Sequence, residues 1–152
     1  MSHQQIVGVV SRNSISYVQT LFKCYRNQQM VVLLRHADDS RIQQTGVTRV
    51  VEPDDAKGWF KEIYVFPRDD ALAQIAFTSG TESEPKGVLL THRALSDVTE
   101  RLNQVMEVDS TIREYVGVPA NFSFGLGRFR AVAAAGGASL LPPHGFDPLE
   151  IR

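Results

Sequence analysis

The sequence predicts an α/β fold, a largely parallel sheet flanked by helices, built as a single domain over residues 1–152. Three observations carry that expectation. Short β-branched runs alternate with a helix-period segment through the first third of the chain. A later pair of apolar runs, AQIAF and VLLTH, brackets a loop rich in glycine and hydroxyl residues. No repeat or low-complexity linker interrupts the pattern, so no internal domain boundary is expected.

The elements follow in order. Residues 6–10 read as a strand, and Ser11, Arg12, Asn13 and Ser14 offer caps before Ile15, Val18, Leu21, Phe22 and Tyr25, which share one helical face. Residues 30–34 read as a second strand, 38–44 as a short helix and 47–51 as a third strand. This βαβαβ rhythm implies parallel pairing with both faces covered. Residues 53–61 are polar and are assigned to a helix, and Pro67, Arg68, Asp69 and Asp70 form a turn before a strand at 72–77. After the loop, 88–90 return as a strand. Thr91 then caps a helix whose buried side is expected to hold Ala94, Leu95, Val98, Leu102, Val105 and Met106. Residues 115–119 read as a strand, Leu126, Phe129, Val132 and Ala133 as a helix ending at Gly136 and Gly137, and 138–141 as a last strand. Asp147 and Pro148 open a final helical turn.

Composition narrows the function classes. With 43% apolar residues and a formal charge of -1, the chain can bury one core, and it offers no basic field for nucleic acid or an acidic membrane surface. No stretch reaches the roughly 18 apolar residues needed to span a bilayer. Cys24 is the only cysteine, which excludes an internal disulfide. These features predict a soluble, cytoplasmic protein, with Cys24 packed in a helix and not a nucleophile. His3, His36, His92 and His144 lack metal-ligand spacing and read as surface or capping residues.

The loop at residues 77–88, FTSGTESEPKGV, carries the chemistry. Thr78, Ser79, Thr81 and Ser83 supply hydroxyls, Gly80 and Gly87 permit close backbone approach, and Lys86 supplies a cation. These are the parts of a polyphosphate cradle. The same residue types also suit a solvated hairpin turn. The Walker pattern is absent, because no glycine precedes Lys86. Gly125-Leu126-Gly127 lacks the third glycine of a dinucleotide fingerprint and reads as a helix start packed closely on a strand.

In residue order, the loop resembles the signature of the adenylate-forming superfamily of acyl- and aryl-CoA ligases, luciferases and peptide-synthetase adenylation domains. Phe77, Thr78, Ser79, Gly80, Thr81, Pro85, Lys86, Gly87 and Val88 match that signature. The resemblance implies part of the large N-terminal domain of an AMP-dependent synthetase/ligase. Such enzymes join ATP to a carboxylate, release pyrophosphate, and pass the acyl group to coenzyme A or to the phosphopantetheine of a carrier protein. It assigns Thr78, Ser79, Gly80 and Gly87 to the phosphates, Thr81 to Mg2+, and Lys86 to the charge on the leaving pyrophosphate. Residues 118–125 similarly resemble the P-x-x-H-x-x-G stretch of the CoA ligases, which places Phe122 and Gly125 at the substrate pocket, with Phe122 in the histidine position.

Two substitutions depart from the signature. Glu82 stands where a hydroxyl residue is usual, and Ser83 stands where glycine is usual. A carboxylate about 5 Å from a phosphate charge costs about 3 kcal/mol at an effective dielectric near 20, and a left-handed backbone at Ser83 adds roughly 1 to 2 kcal/mol. Weak or absent ATP binding is therefore expected, unless Glu82 instead contributes to a magnesium site. The resemblance also implies that an intact enzyme is several-fold longer, so the chain is read as a truncated portion that is inactive alone and prone to self-association through uncovered apolar surface. The alternatives are a natural truncated homologue serving as a binding or interaction module, and a flavodoxin-like domain with an unrelated phosphate loop.

Overall fold

The strands β1 (Ile6–Val10) and β2 (Met30–Leu34) are joined by α1 (Ile15–Arg26) in the computed structural model, which describes residues 4–78 and 85–150. Next come α2 (Arg41–Thr45), β3 (Arg49–Val51) and β4 (Gly58–Phe60). A hairpin of β5 (Leu72–Phe77) and β6 (Gly87–Thr91) runs into α3 (His92–Val105). The chain continues with β7 (Arg113–Tyr115), α4 (Ser123–Ala135), β8 (Ala138–Leu141) and a short 3-10 turn at Pro148–Glu150.

Two sheets form. The larger has the order β3-β1-β2-β5-β6, parallel except for β6, which pairs antiparallel with β5. The smaller has the order β4-β8-β7, with β8 antiparallel to β4 and parallel to β7. Strands buried on both faces read as unbroken apolar runs, and MVVLL of β2 is such a run.

α1 begins as expected. The Ser14 side chain accepts the Tyr17 amide at 3.1 Å, and Ile15, Val18, Leu21, Phe22 and Tyr25 are all buried. Phe22 packs on Phe60, Tyr64 and Phe66 with ring centroids 5.1 to 5.8 Å apart, which ties α1 to β4 and the segment after it. Cys24 is also buried, and burial pushes its thiol pKa up, away from nucleophilic use.

Several expectations are corrected. Residues 53–61 are extended and not helical: the Ala56 carbonyl accepts the Ile15 amide at 2.8 Å, Asp54 accepts the Ser16 hydroxyl, and Gly58–Phe60 pairs with β8. An acidic segment across a helix N-terminus is favourable there. The strand expected at 115–119 is Arg113–Tyr115 instead. The inward face of α3 is built from His92, Leu95, Ser96 and Thr99, whereas Val98, Val105 and Met106 are exposed. Apolar periodicity misplaced that face because Thr99 satisfies its own hydroxyl on the Leu95 carbonyl at 2.7 Å and so tolerates burial. α4 closes as expected at Gly136, whose φ of 80° lies in the left-handed region. Among the described residues, no helix is long and apolar enough to cross a membrane.

His92 is 2% exposed, not a surface residue, and its ring lies edge-on to Tyr25 at 6.1 Å. Burial lowers its pKa against the opposing pull of Asp69. A buried neutral imidazole contributes stability in full above its unfolded pKa near 6.5, and loses that contribution as pH falls further. Thermal unfolding between pH 7 and pH 5 is expected to show a falling Tm, roughly over that window, and the slope should flatten in His92→Gln. An unchanged slope in the variant would contradict this assignment.

Candidate functional site

β2 and β5 are parallel neighbours, with Val32 opposite Ile75, so the chain leaves both strands at the same edge of the sheet. Phe77 pairs with Gly87 at the end of the β5–β6 hairpin. Beyond that pair the Thr78 amide donates to the Lys86 carbonyl at 3.0 Å, and the Lys86 amide donates to the Thr78 hydroxyl at 3.2 Å. These two bonds close the stem of the signature loop. Thr78 and Lys86 are both exposed, and the Thr78 hydroxyl, which accepts that bond through its oxygen, also carries a proton to donate. Gly87 is also exposed; a Cβ there would stand 3.2 Å from Ile75 Cγ2, so the small residue lets the two strands of the stem close up. Ser79, Gly80, Thr81, Glu82 and Ser83 lie outside the described residues.

The loop after β2 is organised by a buried carboxylate. Asp39 is 1% exposed and accepts the Arg35 amide at 2.9 Å, Arg35 Nε at 3.1 Å and the Arg41 amide at 3.1 Å. Burial alone would raise its pKa, but the bonds from Arg35 and Arg41, with the Arg41 charge, outweigh it and hold the carboxyl well below the usual range. Arg41 donates to the Leu33 carbonyl at 3.2 Å, and its guanidinium lies 4.1 Å from the centre of the Phe77 ring. A cleft of about 80 Å³ is bounded by Arg35, Ser40, Arg41, Gln44, Phe77 and Pro85.

The segment before Phe122 is tied to the loop that follows β1. Asn13, just beyond the end of β1, accepts the Ala120 amide on its side-chain oxygen at 2.8 Å, a bond across 107 positions. Phe122 is the N-cap of α4 and is 60% exposed, and Phe124 is 63% exposed, so neither packs in the core. Gly125 is buried beneath them. A Cβ there would lie 2.8 Å from the Val118 carbonyl oxygen and closer still to that of Pro119, so its role is close packing of α4 on the preceding loop. A cleft of about 350 Å³ beside this segment is lined in part by Val118, Phe124, Arg128 and Phe146. A larger one, about 440 Å³, lies between residues 64–68 and α3 and touches none of the expected site residues.

Thus the structure brings Thr78, Lys86 and Gly87 together, and it ties Ala120, two residues before Phe122, to Asn13 beyond the end of β1. Asp39, Arg41 and Asn13 were missed. Asp39 and Arg41 had a local signal, an Asx-type turn in DDSR directly after a strand. Asn13 had none, because its partner is distant in sequence. Among the described residues no group of three His, Cys, Asp or Glu side chains is arranged to hold a metal ion.

The mixed α/β architecture, with sheets flanked by helices, matches the fold of the N-terminal domain of adenylate-forming enzymes. The chain belongs to the AMP-binding enzyme family, which it matches over residues 1–151. It is 36% identical over 81 residues to pyochelin synthetase PchF of Pseudomonas aeruginosa, a match covering 52% of this chain and 4% of that protein. Its fold is similar to that of ATP-bound MatB from Rhodopseudomonas palustris, with a TM-score of 0.71 and 18% identity, over 99% of this chain and 37% of that one. The same TM-score, 0.71, relates it to the O-succinylbenzoate coenzyme A synthetase MenE of Bacillus subtilis in complex with AMP, at 15% identity, over 97% of this chain and 45% of that one. The chain therefore spans less than half the length of these relatives.

Asp39→Asn should remove a charge from a site holding two arginines, and a loss of about 2 to 3 kcal/mol by urea unfolding at neutral pH is expected. Because the carboxyl is depressed in the folded state, its contribution is present above the unfolded value of 3.8 and is lost as pH falls below it. The variant should therefore show a flatter acid limb. Equal stability of the two proteins at neutral pH would refute the role given to Asp39.

Proposed function

We propose that the chain forms the phosphate-binding part of an enzyme that activates a carboxylic acid with ATP, forming an acyl-adenylate and pyrophosphate. The observation that carries this reading is the stem closed by Thr78 and Lys86 at the sheet edge. It holds a hydroxyl and a cation at the mouth of a loop whose residue order is that of the adenylate-forming signature. In the reaction, carboxylate oxygen attacks the α-phosphorus and pyrophosphate leaves. No protein nucleophile is required, and the residues act by positioning and charge stabilisation.

Thr78, Ser79 and Gly80 would donate to the β- and γ-phosphates, Gly87 would let the backbone come close, and Lys86 would neutralise the departing pyrophosphate. Thr81 would stand beside the Mg2+ that the triphosphate brings with it. Phe122 would line the wall towards the carboxylic acid, with Gly125 holding it there through the close packing of α4 on residues 118–119; the ring keeps the shape of that wall but cannot carry a proton. A thiol, from coenzyme A or a carrier phosphopantetheine, would accept the acyl group. The likeness to nonribosomal peptide synthetases supports a carrier partner, and that to a coenzyme A synthetase supports coenzyme A.

Glu82 and Ser83 weaken nucleotide binding in this reading. Calorimetry should give a Kd for Mg-ATP well above micromolar, and Glu82→Thr should tighten it up to about a hundredfold. Micromolar affinity in the unaltered chain would overturn the claim.

A second reading, a non-catalytic binding or interaction module, is favoured by the same two substitutions and by the exposed Phe122, Phe124, Phe146 and Leu149. On both readings the isolated chain is expected to give no ATP–pyrophosphate exchange and to form dimers or larger species in light scattering. Exchange turnover would contradict the expected inactivity of the isolated chain, and a clean monomer at high concentration would contradict self-association.

A further inference from the structure

We infer that Arg41 is a positioning residue for the signature loop, clamping its first residue, Phe77, from the loop that follows the neighbouring strand. The inference rests on the phosphate-loop reading for its consequence on nucleotide, but its geometry stands independently. A guanidinium is suited to a clamp because its flat face stacks on a ring while its edges still donate hydrogen bonds. Arg41 uses both. Its side chain is 13% exposed, its guanidinium carbon lies over the Phe77 ring 4.1 Å from the centre, one nitrogen donates to the Leu33 carbonyl at 3.2 Å, and Asp39 stands 3.8 Å from Nε.

Each contact restrains a different motion. The Leu33 bond ties the side chain to the end of β2, and the Asp39 bond to the Arg41 amide, at 3.1 Å, fixes the backbone that carries it. Stacking then limits tilt of the Phe77 ring at the point where β5 gives way to the stem. Pro85, on the far limb of the loop, borders the same small cleft as Arg41 and Phe77. Both limbs of the loop therefore border one cleft, whose opposite side is formed by Arg41 together with Arg35. Burial lowers the Arg41 pKa against the raising effect of Asp39, but a guanidinium stays charged at any working pH.

Arg41 therefore acts on bound nucleotide through the stem, not by touching it. The test is amide hydrogen exchange on the whole chain, read at Thr78 and Lys86, whose amides make the two stem bonds. Val32, in the adjoining β2–β5 ladder, serves as the control amide. Arg41→Lys keeps the charge and loses the flat face, Phe77→Leu keeps the bulk and loses the ring, and Phe77→Tyr keeps the ring. The first two are expected to speed exchange at Thr78 and Lys86 by about tenfold with Val32 unchanged. The double variant should be no faster than the faster single, and Phe77→Tyr should retain protection. Equal acceleration at Val32, additive effects in the double variant, or unchanged exchange at the stem would each overturn the clamp.

A parallel titration with Mg-ATP separates the two claims. If the phosphate-loop reading is right, affinity falls in the same order as stem protection. Coupled exchange with no ATP binding in any variant, Glu82→Thr included, would discard that reading and leave the clamp standing.

Discussion

The parallel pairing of β1, β2 and β5 is the constraint on which the rest of the structure depends. Parallel strands must all end at one edge, and here the segments leaving that edge are the Asn13 loop, the Asp39–Arg41 loop and the signature loop. Open α/β sheets bind ligands at such an edge because the loops converge there and are free to vary. The antiparallel return of β6 adds a second requirement. It forces the signature loop to close on a stem only one residue pair beyond the sheet, at Thr78 and Lys86.

Around that edge, buried polar groups do what apolar packing cannot. Asp39 gathers amides and guanidinium groups from its own loop, and Arg41 carries that order across to Phe77. Asn13 fastens the segment before α4 by one hydrogen bond to Ala120. Each is directional, so each fixes a loop in one place, whereas the apolar core fixes only which faces are inside. The larger energetic share still lies in the core, where Phe22 of α1 meets Phe60, Tyr64 and Phe66. The two kinds of interaction therefore divide the work: the core sets the fold, and the polar contacts set the geometry at the edge.

Legibility in the sequence followed the same division. The strands at Ile6–Val10, Met30–Leu34, Leu72–Phe77 and Ala138–Leu141 were readable because continuous apolar runs leave few alternatives, and Ser14, Thr91 and Gly136 marked their helix ends by side-chain chemistry. Residues 53–61 were misread as helical because their conformation is imposed by Ile15 and β8, partners that local pattern does not contain. The α3 face was misread because Ser96 and Thr99 are buried, against the usual preference of such residues. At the site, the signature order was legible, while the clamp from Arg41 was not. A cation seven positions past the end of a strand looks like any surface arginine until the ring beneath it is known.

The central claim is that this sheet edge, organised around the Thr78–Lys86 stem, is where nucleotide phosphate binds. Amide chemical-shift mapping with millimolar Mg-ATP tests it most directly, since it reports location even when binding is weak. The account predicts that the largest shifts fall on Thr78, Lys86 and Gly87, with smaller ones at Asn13 and Phe122. Shifts concentrated instead in the cleft between residues 64–68 and α3, with the stem unmoved, would contradict it.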